Sequence, residues 1–155
     1  MVGVVRQQPC PTTAIHLQVK TLLRRVQDFA GFIIKSVRLT GEAKAPVIEV
    51  QLDADSRFKR RCSCCGGPGR VHDILPERRW DFVPLWGIAV ALIYAMRRID
   101  CRRCGVKVEL VPWATGKSPT TIAMEVFLAR WAKRLSWKQV SEIFWVSWDR
   151  VYRSV

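Results

Sequence analysis

The sequence predicts an α+β protein of three parts: an N-terminal helix, a small antiparallel sheet domain that contains a four-cysteine site, and an all-α domain. Three observations carry this prediction. Two Cys-x-x-Cys pairs lie 35 residues apart, β-branched and aromatic runs surround them, and three short helical patterns with capping signals follow. We expect the boundaries of the three parts at residues 1–31, 32–114 and 115–155.

An amphipathic helix is expected from Thr13 to Ala30, where apolar residues recur at spacings of three and four. Thr12 or Thr13 would cap this helix and Gly31 would end it. Strands are expected where β-branched and aromatic residues cluster between glycines and prolines. They are Phe32–Leu39 and Val47–Leu52, which form a predicted hairpin, then Trp80–Val83, Ile88–Tyr94 and an exit strand at Val106–Trp113.

The two cysteine pairs predict a structural zinc site. Cys62 and Cys65 form one Cys-x-x-Cys-Gly turn, and Cys101 and Cys104 form the other. Each turn can offer two thiolates to one ion, and the following glycine suits a backbone of positive φ. Four thiolates leave no open coordination position, so we expect Zn²⁺ to stabilise the fold and not to catalyse. Its binding would supply on the order of 10 kcal/mol of folding free energy.

Other candidate ligands are weaker. Cys64 has the poorer geometry within its turn and is expected to be a spectator, while Cys10 is expected to be a free thiol. His72 could replace one sulfur, although a lone surface histidine is the simpler interpretation. His16 has no ligand neighbour in sequence. The 35 residues between the pairs exceed the 15–20 of common four-cysteine modules, so this insertion needs its own sheet to bring the pairs together.

The charge balance points to a polyanionic partner. Twenty-six Lys and Arg against 13 Asp and Glu give a net charge of +13, which favours nucleic acid first and an anionic membrane surface second. Arg60 and Arg61 lead into the first cysteine turn and would contact phosphate, or alternatively would blunt an exposed strand edge.

Compartment and membrane association follow from other features. Val83–Met96, the longest apolar run, is shorter than a membrane span, so no membrane association is expected. Met1–Thr12 lacks the apolar core of a secretory signal. Paired Cys-x-x-Cys in a reducing compartment indicates metal binding, so a cytoplasmic, nucleoid-associated location in a bacterium is expected.

Three helices are predicted after the sheet domain. Ser118-Pro119 would open the first, which runs to about Arg134, and Ser136 with Gln139 forms a capping box for the second. Ser147 would cap the third helix, which we expect to turn Val151 and Val155 inward. Two short helices joined by a turn of about three residues are typical of a helix-turn-helix domain.

In a helix-turn-helix domain the last helix presents its outward residues to the major groove of double-stranded DNA. Arginine can bond the edge of guanine there, and tyrosine can reach a phosphate. A three-helix bundle with no ligand is the alternative. The expected DNA-binding residues are Lys138, Ser147, Trp148, Asp149, Arg150, Tyr152 and Arg153, together with Arg60 and Arg61.

The sequence resembles transposases of the ISL-three insertion-sequence family. The resemblance covers roughly residues 32–155, and its specificity lies in the combination of segments. They are Arg-Cys-Ser-Cys-Cys-Gly at 61–66, Arg-Arg-Ile-Asp-Cys-Arg-Arg-Cys-Gly at 97–105, Val-Pro-Trp-Ala at 111–114, Leu-Ser-Trp-Lys-Gln-Val at 135–140 and Phe-Trp-Val-Ser-Trp-Asp-Arg-Val-Tyr-Arg-Ser-Val at 144–155.

The resemblance implies a zinc-binding domain followed by a helix-turn-helix that recognises terminal inverted repeats. It carries the family's ligand cysteines over to the same four residues, Cys62, Cys65, Cys101 and Cys104. The family turn usually has Gly where this chain has Trp145; a position that needs φ > 0 would cost a bulky residue roughly 1–2 kcal/mol.

The family's catalytic domain of ribonuclease-H type has no counterpart up to Val155. We therefore expect a truncated chain that is not an enzyme, with self-association or a separately encoded catalytic domain as further partners. A free-standing zinc-containing helix-turn-helix transcriptional regulator is the alternative function.

Overall fold

The computed structural model describes the backbone of residues 12–155 and the side chains of residues 19–155. The predicted free thiol Cys10 and the side chain of His16 lie outside these residues. Within them the chain forms four helices and five strands. In chain order these are α1 Thr12–Val26, β1 Phe32–Glu42, β2 Ala45–Ala54, β3 Gly69–Leu85, β4 Ile88–Cys101, β5 Gly105–Val108, α2 Ile122–Ala132, α3 Trp137–Phe144 and α4 Trp148–Ser154.

The five strands form one mixed sheet, so the prediction of an antiparallel sheet is wrong in one pairing. The order is β1-β2-β4-β3, with β5 paired to β4. β2 and β4 run parallel, from Val47↔Ala89 to Gln51↔Ile93, while every other pair is antiparallel. The physical reason is the connection: the chain turns through the first cysteine pair into β3, and the β3–β4 hairpin returns β4 between its partners.

The central hairpin is much longer than predicted. β3 has 17 residues and β4 has 14, where only Trp80–Val83 and Ile88–Tyr94 were expected. Charged residues hide the strand signal in β3: Arg79 is exposed, whereas Arg78 lies over the Trp80 ring and donates to the carbonyl oxygens of Gly116 and Ser118. The exit strand is shorter than predicted, since β5 ends at Val108.

Aromatic rings fill the core of the sheet. Trp113, which is fully buried, lies among Phe29, Phe32, Trp80 and Tyr94, with ring centroids 4.7–6.0 Å from its own. Edge-to-face contacts of this kind add to the free energy gained from burying apolar area. The segment after β5 and the loop after α1 are therefore fixed to the same face of the sheet.

The three C-terminal helices share a second apolar cluster. Its buried members are Met124, Leu128, Val140, Val146 and Val151. Backbone hydrogen bonds from Thr121 N to Asp81 O (3.0 Å) and from Ile122 N to Trp113 O (2.8 Å) attach the start of α2 to the sheet. The division of the chain at residues 114 and 115 into separate domains stays a prediction.

Several helix ends differ from the predictions. α1 ends at Val26 and not at Ala30. α2 begins one turn later than expected: Thr121 is its N-cap and accepts a bond from Met124 N, while Ser118 closes a local turn to Thr120.

The N-terminal cap of α3 agrees with the prediction, whereas the end of α4 does not. The capping box of Ser136 and Gln139 is confirmed, with both reciprocal bonds present. Val151 is buried as predicted, but Val155 is exposed because α4 ends at Ser154. The predicted inward position of Val155 is therefore wrong.

The β3–β4 hairpin closes through a two-residue turn that suits its first residue poorly. Trp86 has φ +50° and Gly87 φ +78°, the signs of a type I′ turn, which favours Asn-Gly. The Trp86 side chain is 80% exposed and gains little from packing. We expect Trp86→Asn to stabilise the protein by about 0.5–1 kcal/mol, since it relieves left-handed strain. Urea denaturation would measure this; equal midpoints for the two proteins would contradict it.

Candidate metal centre and nucleic-acid interface

The structure brings the four predicted cysteines together. The sulfur atoms of Cys62, Cys65, Cys101 and Cys104 all lie within 4.8 Å of one another, and the Cys65 and Cys101 sulfurs are 3.5 Å apart. A tetrahedral site with zinc–sulfur bonds of about 2.3 Å separates its sulfurs by about 3.8 Å. A disulfide would need about 2.05 Å. The spacing therefore fits a shared metal ion, and the prediction that these four residues meet is confirmed.

Two matching turns hold the sulfurs. Gly66 and Gly105, which follow the pairs, both have φ +68°, a conformation that glycine adopts without strain. Gly66 N donates to Cys62 O at 2.8 Å and closes the first turn. The sequence likeness between the two Cys-x-x-Cys-Gly segments thus corresponds to a likeness in backbone conformation.

A third glycine lets the two turns approach. Gly69 pairs with Cys101 at the end of the β3–β4 ladder, and a Cβ atom on Gly69 would lie 2.7 Å from the carbonyl oxygen of Asp100. Any other residue here would push the first turn away from β4. Sequence reasoning missed this role, although the run Gly66-Gly67-Pro68-Gly69 is a visible signal.

The surroundings of the sulfurs favour a bound cation. Backbone N–H groups of Arg103 and Cys104 point at the Cys101 sulfur and, with the Cys65 thiol, lower the pKa of Cys101 to about 7. At Cys104 the neighbouring thiols of Cys65 and Cys64 raise the pKa. Crowded thiols resist joint ionisation because their charges repel, and a divalent cation removes that repulsion.

The other candidate ligands stay outside this group. Cys64 is exposed and does not join the four sulfurs, as the prediction of a spectator requires. His72 is exposed on β3. Cys62 and Cys101 are buried with Ile99, so one side of the site is apolar and the other faces solvent.

A buried ion pair lies beside the cysteines and corrects one prediction. Arg60 was expected to contact phosphate, but it is only 8% exposed. Its guanidinium donates to the carbonyl oxygens of Gly31 (3.1 Å) and Phe58 (3.0 Å) and also bonds Asp55 O. Its Nη1 lies 3.8 Å from Oε2 of Glu109. Arg60 is therefore an internal cation, whereas Arg61 is exposed.

Glu109 is the anionic partner in this pair, and the sequence analysis did not identify it. It is 1% exposed, and its Oε1 accepts bonds from the Tyr94 hydroxyl (2.6 Å) and from Arg97 N (2.8 Å). Burial and the adjacent carboxylate raise the pKa of Tyr94. Glu109 also forms a β-bridge with Cys62, so the first cysteine turn is connected to β4 through buried polar contacts.

On α4 the charged side chains are already paired. Arg150 forms an ion pair with Asp81 of β3, and Arg153 bonds Asp149 at 2.9 Å. Ser147 begins the helix but, within the described chain, its side chain makes no capping bond. Lys138 at the start of α3 is exposed.

Aromatic rings form the rest of the outward side of α4. The rings of Trp148 and Tyr152 are stacked, 5.5 Å apart and inclined by only 8°. Trp137 of α3 contacts both, at centroid distances of 5.7 and 5.6 Å. Sequence reasoning placed Trp148 and Tyr152 on this surface but did not identify the contribution of Trp137.

The turn between α3 and α4 places Trp145 in the left-handed conformation that the sequence analysis considered costly for a bulky residue. Trp145 is the C-cap of α3 with φ +50° and ψ +40°, and it is mostly exposed. A left-handed C-cap residue is usually glycine. The turn therefore has a left-handed residue although that residue is a tryptophan.

Comparison with known proteins gave no match to a family model, to a curated protein or to a solved structure. In the part of the chain that the structure describes, no helix is both long enough and apolar enough to span a bilayer.

Proposed function

We propose that this chain is the DNA-binding portion of a transposase and that it binds the terminal inverted repeats of an insertion sequence. The observation that carries the proposal is the unit of α3, a left-handed turn residue and α4 around one apolar core. Two short helices joined by a tight turn support a helix-turn-helix, in which α4 would enter the major groove. The net charge of +13 supports a polyanionic partner.

The four cysteines would hold a structural Zn²⁺. Thiolate ligands at this spacing suit zinc, and a closed set of four sulfurs offers no position for a reacting water. The ion would fix the first cysteine turn against the end of β4. In this role it supports the sheet on which α2 and α4 rest through Asp81.

The transposase assignment is supported by the sequence resemblance. The segments that carry it include both cysteine turns and the helices α3 and α4. Association with the bacterial nucleoid belongs to the same proposal. The polypeptide is proposed to act through DNA binding.

The contacts to DNA would divide into two kinds. Lys138, Ser147 and Arg61 are exposed and suit phosphate contacts. Arg153 would read a base only by exchanging Asp149 for the base edge. Arg150 is held by Asp81 and would therefore orient α4 in place of contacting bases.

A gel-shift experiment tests this proposal. With duplexes that carry the terminal inverted repeats of an insertion sequence, we expect binding that weakens steeply as salt rises and exceeds binding to a scrambled duplex. Arg153→Ala should cost about 1–3 kcal/mol on the end sequence and much less on the scrambled one. Arg98→Ala is the charge-matched control, since Arg98 is a paired surface residue of β4. Equal losses for the two variants, or equal affinity for both duplexes, would contradict the proposal.

A further inference from the structure

We propose that Trp137, Trp148 and Tyr152, named here the aromatic face, bind unpaired bases of single-stranded DNA by stacking. This inference rests on the proposed DNA-binding function and specifies the substrate of the same surface. It differs from base-edge reading in the major groove, because it requires a strand whose bases are free of partners.

The geometry of the aromatic face favours ring contacts. Trp148 and Tyr152 lie one helical turn apart and are nearly parallel, at 8°. Trp148 is 51% exposed and Tyr152 55% exposed, so a large part of each ring is open to a ligand. Trp137 packs obliquely on both and fixes their orientation. Because neighbouring rings hold Trp148 and Tyr152 in place, less entropy is lost when a base stacks on their exposed parts.

Few polar groups of α4 are free to read base edges. Arg150 is tied to Asp81 of β3 in a half-buried ion pair. Arg153 pairs with Asp149 only on the surface, so this weak pair can open to a base edge. What α4 offers without rearrangement is aromatic surface. In a duplex the flat faces of the bases are covered by neighbouring bases, so an aromatic plane can meet them only where the strands are open.

The charge of the helical part of the chain suits a nucleic-acid strand better than an apolar protein partner. Residues 115–155 contain seven Lys and Arg against three acidic residues. Lys138 follows Trp137 directly, and Lys133 and Arg134 at the end of α2 are also exposed. Proteins bind single strands by combining aromatic rings, on which the bases stack, with cations that contact the phosphate backbone of the strand.

The test is fluorescence polarisation with a labelled oligothymidine of about 15 nucleotides. The matched ligand is an abasic oligonucleotide of equal length, which keeps the phosphates and lacks the bases. We expect the wild-type protein to bind oligothymidine more tightly, and Trp148→Ala to lose about tenfold in affinity for it with little change for the abasic strand. Trp148→Phe should recover most of the loss. Trp86→Asn, which changes an exposed tryptophan outside the face, should bind like the wild type.

Circular dichroism of each variant would verify that α4 remains folded. Equal affinity of the wild type for the two strands would overturn the inference. An equal loss for Trp148→Ala on both strands would also overturn it. Duplex binding that persists in either of those cases leaves the proposed function standing. Oligothymidine binding with the expected variant pattern, but no binding to any duplex, would support the inference and refute inverted-repeat recognition.

Discussion

Chelation of the proposed zinc ion, or Cys101→Ser, is expected to unfold the end of the sheet that carries the cysteines. The free energy of structural zinc binding is on the order of 10 kcal/mol, comparable with the whole stability of a domain of this size. Apart from a metal ion, the first cysteine turn is held to the rest of the sheet mainly by backbone bonds from Ser63 N to Val108 O of β5 and from Leu110 N to Arg61 O. Without the ion, four crowded thiols remain with no compensating charge.

Thermal unfolding followed by circular dichroism measures this effect. We expect a large fall in Tm for the zinc-loaded protein after addition of a strong chelator, and a similar fall for Cys101→Ser. Cys64→Ser is the matched control, because Cys64 belongs to the same turn but lies outside the sulfur group. It should retain one ion and the wild-type Tm. A Cys101→Ser variant that unfolds with the wild-type midpoint would contradict the expectation.

Glu109→Gln is expected to destabilise the protein by about 3–5 kcal/mol, the usual cost of breaking a buried ion pair. Removing the charge leaves the Arg60 guanidinium buried without its carboxylate. The change also weakens the acceptor for the Tyr94 hydroxyl and for Arg97 N. Urea denaturation measures the loss as a shift in midpoint at constant slope.

A surface pair provides the control for this prediction. Glu49→Gln breaks the ion pair between Glu49 of β2 and Arg79 of β3. Both side chains of this pair are substantially exposed. Its cost should stay below about 1 kcal/mol. Equal costs for the two Glu→Gln changes would contradict this account of the network.

The sequence was most informative for features that are formed by residues close together in the chain. Two Cys-x-x-Cys-Gly segments predicted the meeting of four sulfurs, because the spacing within each segment fixes a turn. Ser136 and Gln139 predicted a capping box for the same reason: both bonds are local. These features depend on residues that are close in the chain.

The sequence was least informative where distant residues decide the outcome. The parallel β2–β4 pairing depends on how the chain returns after the cysteine turn, which no local pattern encodes. Arg60 lies beside Arg61 in a basic segment, which suggested a phosphate contact. Only the position of Glu109, 49 residues later, makes Arg60 an internal cation. Thr121 displaced Ser118 as the N-cap because its backbone and hydroxyl groups bond Asp81 of the sheet.

The most direct test of the four-thiolate centre is the metal content of the purified protein, together with the absorption spectrum after cobalt substitution. We predict one zinc ion per chain and a cobalt spectrum typical of four sulfur ligands in a tetrahedral site. A folded protein that contains no metal, or a cobalt spectrum that indicates water or nitrogen ligands, would contradict it.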